Sequence, residues 1–278
     1  MANSLEGFTL PLMDPINEYD ETGEEPPATP AATVVIFRRD PAGKAAQLLM
    51  VERSASMNFA GGAAVFPGGR VDDADFDFAT RLGAIDEDAR DEIAARIAAV
   101  RETIEETGLV IGVHERATAD EARAARDLLR GEIGLEAMLA RMNWTPDLDA
   151  LVPFARWRPK HRHLRVFDTR FYLADLGTGA VEVLVDQTEN THLFWASASE
   201  ALDYAESGRI KIIYPTRRNL ERLAQFDDFS AARAHADSVP VRMITPFVTK
   251  REGEPWLSIP DDAGYPVTGE KLDSAARA

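Results

Sequence analysis

The chain has no cysteine among its 278 residues, so no disulfide can hold it, and the composition points to a reducing compartment, read as cytoplasmic. It also lacks any uncharged apolar run of about 18 residues and any basic N-terminal region leading into one, so neither a membrane span nor a secretory leader is expected. Positive charge is scarce: 31 Lys and Arg face 47 Asp and Glu, a formal net charge of −16. That balance disfavours tight nonspecific binding to nucleic acid or to an anionic membrane, because phosphates are held by Lys and Arg. A phosphate-bearing ligand would therefore need a local cluster of cations or a metal ion. No internal repeat is visible, and the length suits one elaborated domain.

What the chain does have is concentrated between residues 65 and 109. Val65-Phe66-Pro67-Gly68-Gly69-Arg70 is a turn after an apolar run, and Arg101-Glu102-Thr103-Ile104-Glu105-Glu106-Thr107-Gly108-Leu109 closes a helix. At 100° per residue, Ile93, Ile97, Val100 and Ile104 share one stripe, while Glu102, Glu105 and Glu106 fall on roughly the opposite side. Carboxylates spaced i, i+3 and i+4 repel one another unless solvent or a cation compensates, and hard divalent cations prefer such oxygens. On its own this pattern favours the plainer reading, a solvated acidic face. The glycines narrow it, since glycine permits close backbone approach and a left-handed helix cap.

These residues resemble the Nudix box, G-x5-E-x7-R-E-U-x-E-E-x-G-U, where U is a bulky aliphatic. Gly69 fits the first position, Asp75 stands at the first Glu, and Arg101, Glu102, Glu105, Glu106, Gly108 and Leu109 fit the remainder. Thr103 occupies an aliphatic slot, and residues 76–100 number 25 where the box has seven, an insertion of 18. Upstream, Leu49-Met50, Arg53-Ser54, Gly62 and Phe66-Pro67-Gly68-Gly69 keep the spacing of the signature that precedes the box in coenzyme A-hydrolysing members of the family. Met50 replaces a Leu and Asn58 an Arg, which removes a permanent charge. An insertion within the box resembles a subgroup that includes coenzyme A diphosphatases.

The resemblance implies an α/β/α sandwich around a mixed β-sheet, with extra inserted helices. Boundaries are read as an acidic, proline-bearing tail at 1–30, a domain at 31–250 with helical insertions at 76–98 and 115–150, and a C-terminal tail at 251–278. Residues 33–51 read as a hairpin, 87–107 as the glutamate helix, and 118–142 as two helices broken near Gly131 to Gly134, serving as a lid or dimer surface. Residues 181–185 alternate like a strand, Ser199 to Glu206 and Thr216 to Gln225 read as helices, the latter capped by Thr216, and one helix and a short strand near 241–248 follow. A homodimer is left open.

The implied reaction is hydrolysis of a diphosphate linked to another moiety in a small nucleotide substrate. Glu102, Glu105 and Glu106 would hold Mg²⁺ or Mn²⁺, Arg101 would orient Glu105, and a box glutamate such as Glu105, or else Glu189, would accept the proton. Gly68 and Gly69 would shape the loop; Arg53, Ser54 and Arg170 would meet the substrate, Arg170 as part of a basic stretch with Arg156, Arg158, Lys160, Arg162 and Arg165. Coenzyme A or an acyl derivative is the first choice of substrate, ADP-ribose or NADH the second, and a non-catalytic binding module the alternative of another class.

Overall fold

The computed structural model describes residues 27–40, 42–54, 60–131, 133–159, 166–177 and 190–275. Asn58, the basic residues 160–165, the expected strand at 181–185 and Glu189 lie outside these residues. The first strand, β1 (Ala28–Arg38), begins within the stretch expected as a tail, and with β2 (Gln47–Arg53) it forms the expected antiparallel hairpin, Phe37 opposite Leu48. The turn between them is local chemistry: the Asp40 carboxylate accepts the Ala42 N–H and the Asp40 carbonyl that of Gly43.

The glycine loop leads through β3 (Ala64–Val65) into β4 (Gly68–Arg70), which lies antiparallel to β1 with Gly69 opposite Ala32. The insertion then forms a short helix, α1 (Asp73–Arg81), and the opening turns of α2 (Glu87–Thr107). The bounds of α2 are those the sequence implies. Asp86 caps its start by accepting the Ala89 N–H, and Gly108, at φ +71°, closes it in the left-handed conformation with its N–H donating to Ile104. Ile97, Val100 and Ile104 are buried, with Ile93 partly so. Thr103 is fully buried in its aliphatic slot.

Two helices follow, α3 (Ala119–Arg130) and α4 (Leu135–Met142), as expected on either side of Gly131 to Gly134. They are a packed layer, since Leu129, Leu135, Met138 and Leu139 join Ile97 and Ile104 in one apolar cluster. Then come β5 (Val152–Trp157), β6 (Val166–Asp175) and β7 (Asn190–Ala196). β6 runs parallel to β1 from Ala28 opposite Val166 to Phe37 opposite Asp175, and β5 is antiparallel to β6. β7 pairs with β2.

The other face of the sheet is covered by α5 (Ala198–Glu206), α6 (Tyr214–Leu223) and α7 (Phe229–Ser238). Thr216 is not the cap of α6: Ile213 holds that place, Pro215 sits in the first turn, and Thr216 is buried inside the helix. A short strand β8 (Met243–Ile244) joins β5 in parallel, giving the order β3-β2-β1-β6-β5-β8 with β4 and β7 off that path. Alternate residues of β1 serve opposite faces, Val34 and Ile36 toward α2, Val35 and Phe37 toward α5 to α7. The result is the expected α/β/α arrangement around a mixed sheet.

Residues beyond 250, read as a tail, are folded. β9 (Phe247–Arg251), β10 (Glu254–Ser258) and β11 (Gly269–Lys271) make a second, antiparallel sheet, followed by a turn of helix, α8 (Leu272–Ala275). Leu257, Ile259, Tyr265 and Leu272 are buried against the α5–α7 side of the main sheet. Tyr265 is the anchor, because its hydroxyl accepts from Trp157 Nε1 at 3.0 Å and donates to Asn219 Oδ1 at 2.7 Å. Among the described residues no helix is long and apolar enough to cross a membrane.

Tyr265→Phe leaves a buried indole N–H and a buried amide oxygen without that partner, and should cost about 1–3 kcal/mol in urea unfolding. An unchanged midpoint would mean that residues 254–275 add nothing to the cooperative unit.

Candidate active site

The site is built where the insertion meets the end of α2. Asp72 caps α1 while its own N–H donates to Asp75 Oδ2 at 2.9 Å. Asp75 is 1% exposed, and its carboxylate takes both Nε and Nη2 of Arg101, at 3.2 and 2.9 Å. Nη2 also donates to the Arg70 carbonyl at 2.9 Å, and Nη1 to Glu102 Oε1 at 2.8 Å. Glu105 lies 3.6 Å and Asp72 3.4 Å from the same guanidinium. Four carboxylates thus surround one buried cation, which fixes α1, β4 and the glutamate end of α2 to one another.

The glycines sit against the same carboxylates. A Cβ on Gly69 would fall 2.3 to 2.5 Å from the Glu102 carboxyl group, and one on Gly68 would meet the Ala32 carbonyl at 2.2 Å, so neither position accepts a side chain without displacement. The Gly68 N–H donates to Glu106 Oε2 at 3.0 Å, which ties the loop to the helix. From the inserted α3, Arg126 donates to the carbonyls of Glu105 and Glu106 at 2.9 and 3.2 Å, meeting backbone acceptors that the helix end leaves unpaired.

On the other side of the Gly68–Gly69 lip, a cavity of about 100 Å³ opens on the sheet face that bears α5 and α6, and Arg53, Phe66, Gly68, Trp157 and Phe171 line it. The structure thus brings Arg53 and Gly68 to one space. Ser54 follows Arg53 at the end of the described strand and is partly buried. Arg170, expected at the substrate, is placed elsewhere. It shares the α2-facing side of β6 with Tyr172, its Nε is 3.2 Å from Glu92 Oε2, and Tyr172 donates to the other Glu92 oxygen at 3.0 Å. Arg156 is held by Asp168 through two bonds of 2.8 and 2.7 Å. These two arginines are neutralised by neighbouring acids on the far side of the sheet from the cavity, so neither joins Arg53 there.

A family model described as the NUDT19 Nudix domain matches residues 77–223, more than half of the chain. The protein belongs to the Nudix hydrolase family. A curated relative, the acyl-coenzyme A diphosphatase NUDT19 of Gallus gallus, is 28% identical over 287 residues, spanning 81% of this chain and 75% of the relative. The protein of the same name from Xenopus laevis is 25% identical, over 81% of this chain and 74% of its own. The crystal structure of a Nudix hydrolase from Alicyclobacillus acidocaldarius matches with a TM-score of 0.62 and 28% identity, covering 75% of this chain and 96% of that one.

In this Nudix hydrolase the carboxylates carry more negative charge than Arg101 can balance. Burial pushes Glu102 up to about 8, and the charges of Glu106 and Glu105 add to it against the pull of Arg101. Burial likewise raises Glu105, against Arg101 and with Asp75 and Asp72. Burial alone would lower Arg101, but the hydrogen bond to Asp75 and the charges of Glu102, Asp75 and Glu105 together raise it. Among the described residues no three Asp, Glu or His side chains are gathered into a metal cage. Glu102 is turned onto Arg101, and Glu106 onto Gly68. The donor set nevertheless fits a hard divalent cation, being all oxygen and in excess of its counter-charge. Binding such an ion requires Glu102 and Glu105 to exchange part of their contact with Arg101.

Sequence reasoning missed Asp72, Arg126, Thr33, Trp157, Phe171 and Thr216 as neighbours of this site. The alternation of β6 carried part of that signal. Once Phe171 and Leu173 face α5 to α7, Arg170 must face α2.

Asp75→Asn removes the charge that matches Arg101 and should destabilise the fold by about 3 kcal/mol, the low end for breaking a buried ion pair because Glu102 and Glu105 remain. Equal stability of the two proteins by urea titration would count against Arg101 as the hub. A second outcome concerns pH. Glu102 keeps its proton to about pH 8 in the folded protein and to about 4.5 when unfolded, so the stability it contributes is complete below about 4.5 and lost as pH rises through about 8. In EDTA the melting temperature should fall across that interval, and Glu102→Gln should flatten the fall; identical slopes for both proteins would remove the assignment.

Proposed function

We propose that the protein hydrolyses the diphosphate of coenzyme A or an acyl derivative, giving 3′,5′-ADP and (acyl-)phosphopantetheine. The observation that carries this reading is the juxtaposition at the glycine lip: an over-charged carboxylate group on one side and, on the other, a cavity that includes Arg53. The two curated relatives, whose names specify acyl-coenzyme A diphosphatase activity, support the choice of substrate. Retention of Glu102, Glu105 and Glu106 favours an enzyme over a binding module of the same fold.

Glu102, Glu105 and Glu106 would hold Mg²⁺ or Mn²⁺. When bound, such an ion neutralises diphosphate charge and makes a coordinated water more acidic. The chain's own residues do the rest. Arg101 keeps the glutamates at the lip, and Arg53 meets a phosphate oxygen through its guanidinium fork. Glu105 is our choice for the group that accepts the proton of the attacking water. Its side chain is 26% exposed, against 15% for Glu102, whereas Glu106 is buried and bonded to Gly68. Glu189 is the alternative acceptor. The water oxygen bonds to phosphorus, the bridging P–O bond breaks, and the leaving phosphate carries away the bridging oxygen.

Incubation with Mg²⁺ or Mn²⁺ and a panel of coenzyme A, an acyl-coenzyme A, ADP-ribose, NADH and a diadenosine polyphosphate, with products separated by chromatography, should show the first two hydrolysed fastest. Faster turnover of ADP-ribose or NADH would overturn the substrate, and no turnover of any would favour the binding module. Glu105→Gln should lower kcat by about 10²- to 10⁴-fold with an unchanged melting profile; retained activity would move the proton acceptor elsewhere.

A further inference from the structure

The cavity beside the lip can be read one step further, on the footing of the diphosphatase reading above. It begins at Gly68, whose N–H is bonded to Glu106, so on that reading whatever fills it lies beside the diphosphate. Its walls are largely apolar, with Phe66, Trp157, Phe171 and Ile213 among them, and its described lining residues include no carboxylate and no side-chain amide. The one donor that Trp157 brings is engaged by Tyr265 at 3.0 Å. Thr169 and two other threonine hydroxyls, with Arg53, are what remains that is polar. An apolar cavity of about 150 Å³ accommodates benzene, so one of about 100 Å³ takes a compact group on the order of four carbon atoms.

We propose that this cavity receives the branched, gem-dimethyl segment that follows the diphosphate in the non-nucleotide arm of coenzyme A, and thereby selects for it. Coenzyme A has such a segment directly beyond one phosphate. ADP-ribose, NADH and diadenosine polyphosphates have a sugar there instead. A sugar placed against Phe66 and Phe171 would set hydroxyl groups against apolar rings, a cost that the dimethyl carbon avoids while its own apolar surface leaves water. Selection thus comes from the arm beside the scissile bond.

The test compares hydrolysis of coenzyme A with that of an analogue whose dimethyl carbon bears two hydrogens instead. In the unaltered protein kcat/KM should be about tenfold or more higher for coenzyme A, within what apolar pockets discriminate. Thr169→Phe, which fills the cavity, should bring that ratio close to one. A ratio near one in the unaltered protein, as a nucleobase in the cavity would give, overturns the inference while leaving the diphosphatase intact. So does a ratio that survives Thr169→Phe. If neither compound is hydrolysed, the diphosphatase reading falls and this one with it. Should Thr169→Phe fail to fold, the ratio in the unaltered protein decides alone.

Discussion

One buried guanidinium holds the site together. Arg101 is nearly inaccessible, yet it reaches Asp75 and Asp72 at the start of α1, the Arg70 carbonyl from β4, and Glu102 and Glu105 from its own helix. A charge taken that far out of water is tolerable only with close, hydrogen-bonded partners. That requirement works in both directions. The carboxylates need the cation because they would otherwise repel one another, and the cation needs them because nothing else nearby is negative enough. Their sum still leaves negative charge over. This surplus makes the place receptive to a further positive ion, and it is a property of the arrangement, not of any single glutamate.

The insertion inside the box therefore has a structural account. It completes α1, whose first turn holds Asp75 as part of the helix cap and as the main partner of Arg101, and it extends α2 at its N-terminal end. The extra helices α3 and α4 do more than widen a surface. Arg126 satisfies carbonyls in the last turn of α2, at the residues that carry the carboxylates, and so a part of the chain with no motif of its own restrains the motif. Gly108 completes the restraint from the other side by turning the chain sharply away.

Features governed by short-range chemistry were readable from the sequence. The limits of α2 follow from Asp86 and Gly108, the hairpin from its β-branched runs and the Asp40 turn, and the division of the helices at 118–142 from their glycines. What escaped depended on partners distant in the chain. A strand made of Gly68, Gly69 and Arg70 has poor intrinsic propensity and exists because β1 offers it a ladder. The second sheet is assembled from short strands whose polar residues resemble a tail until Leu257 and Tyr265 are seen to be covered. Thr216 looked like a cap because Pro215 precedes it, yet the proline fits equally inside the first turn. The glutamates and glycines stand out through a resemblance, whereas the place of Arg101 at their centre depends on how the chain folds.

The parallel ladder between β1 and β6 has a consequence for how the enzyme comes into being. Ten residue pairs join strands separated by more than a hundred positions, and the glycine lip hangs from the opposite edge of that same β1. A growing polypeptide can wind α2 early, but β1 has no neighbour on that side until Asp175 has left the ribosome. Loop closure on this scale is slow, and it precedes the contacts that reward it. Until then the glutamates sit on a helix whose floor, β1, lacks its parallel partner, and a partial translation product should be an inert helix-and-hairpin fragment with no catalytic capacity.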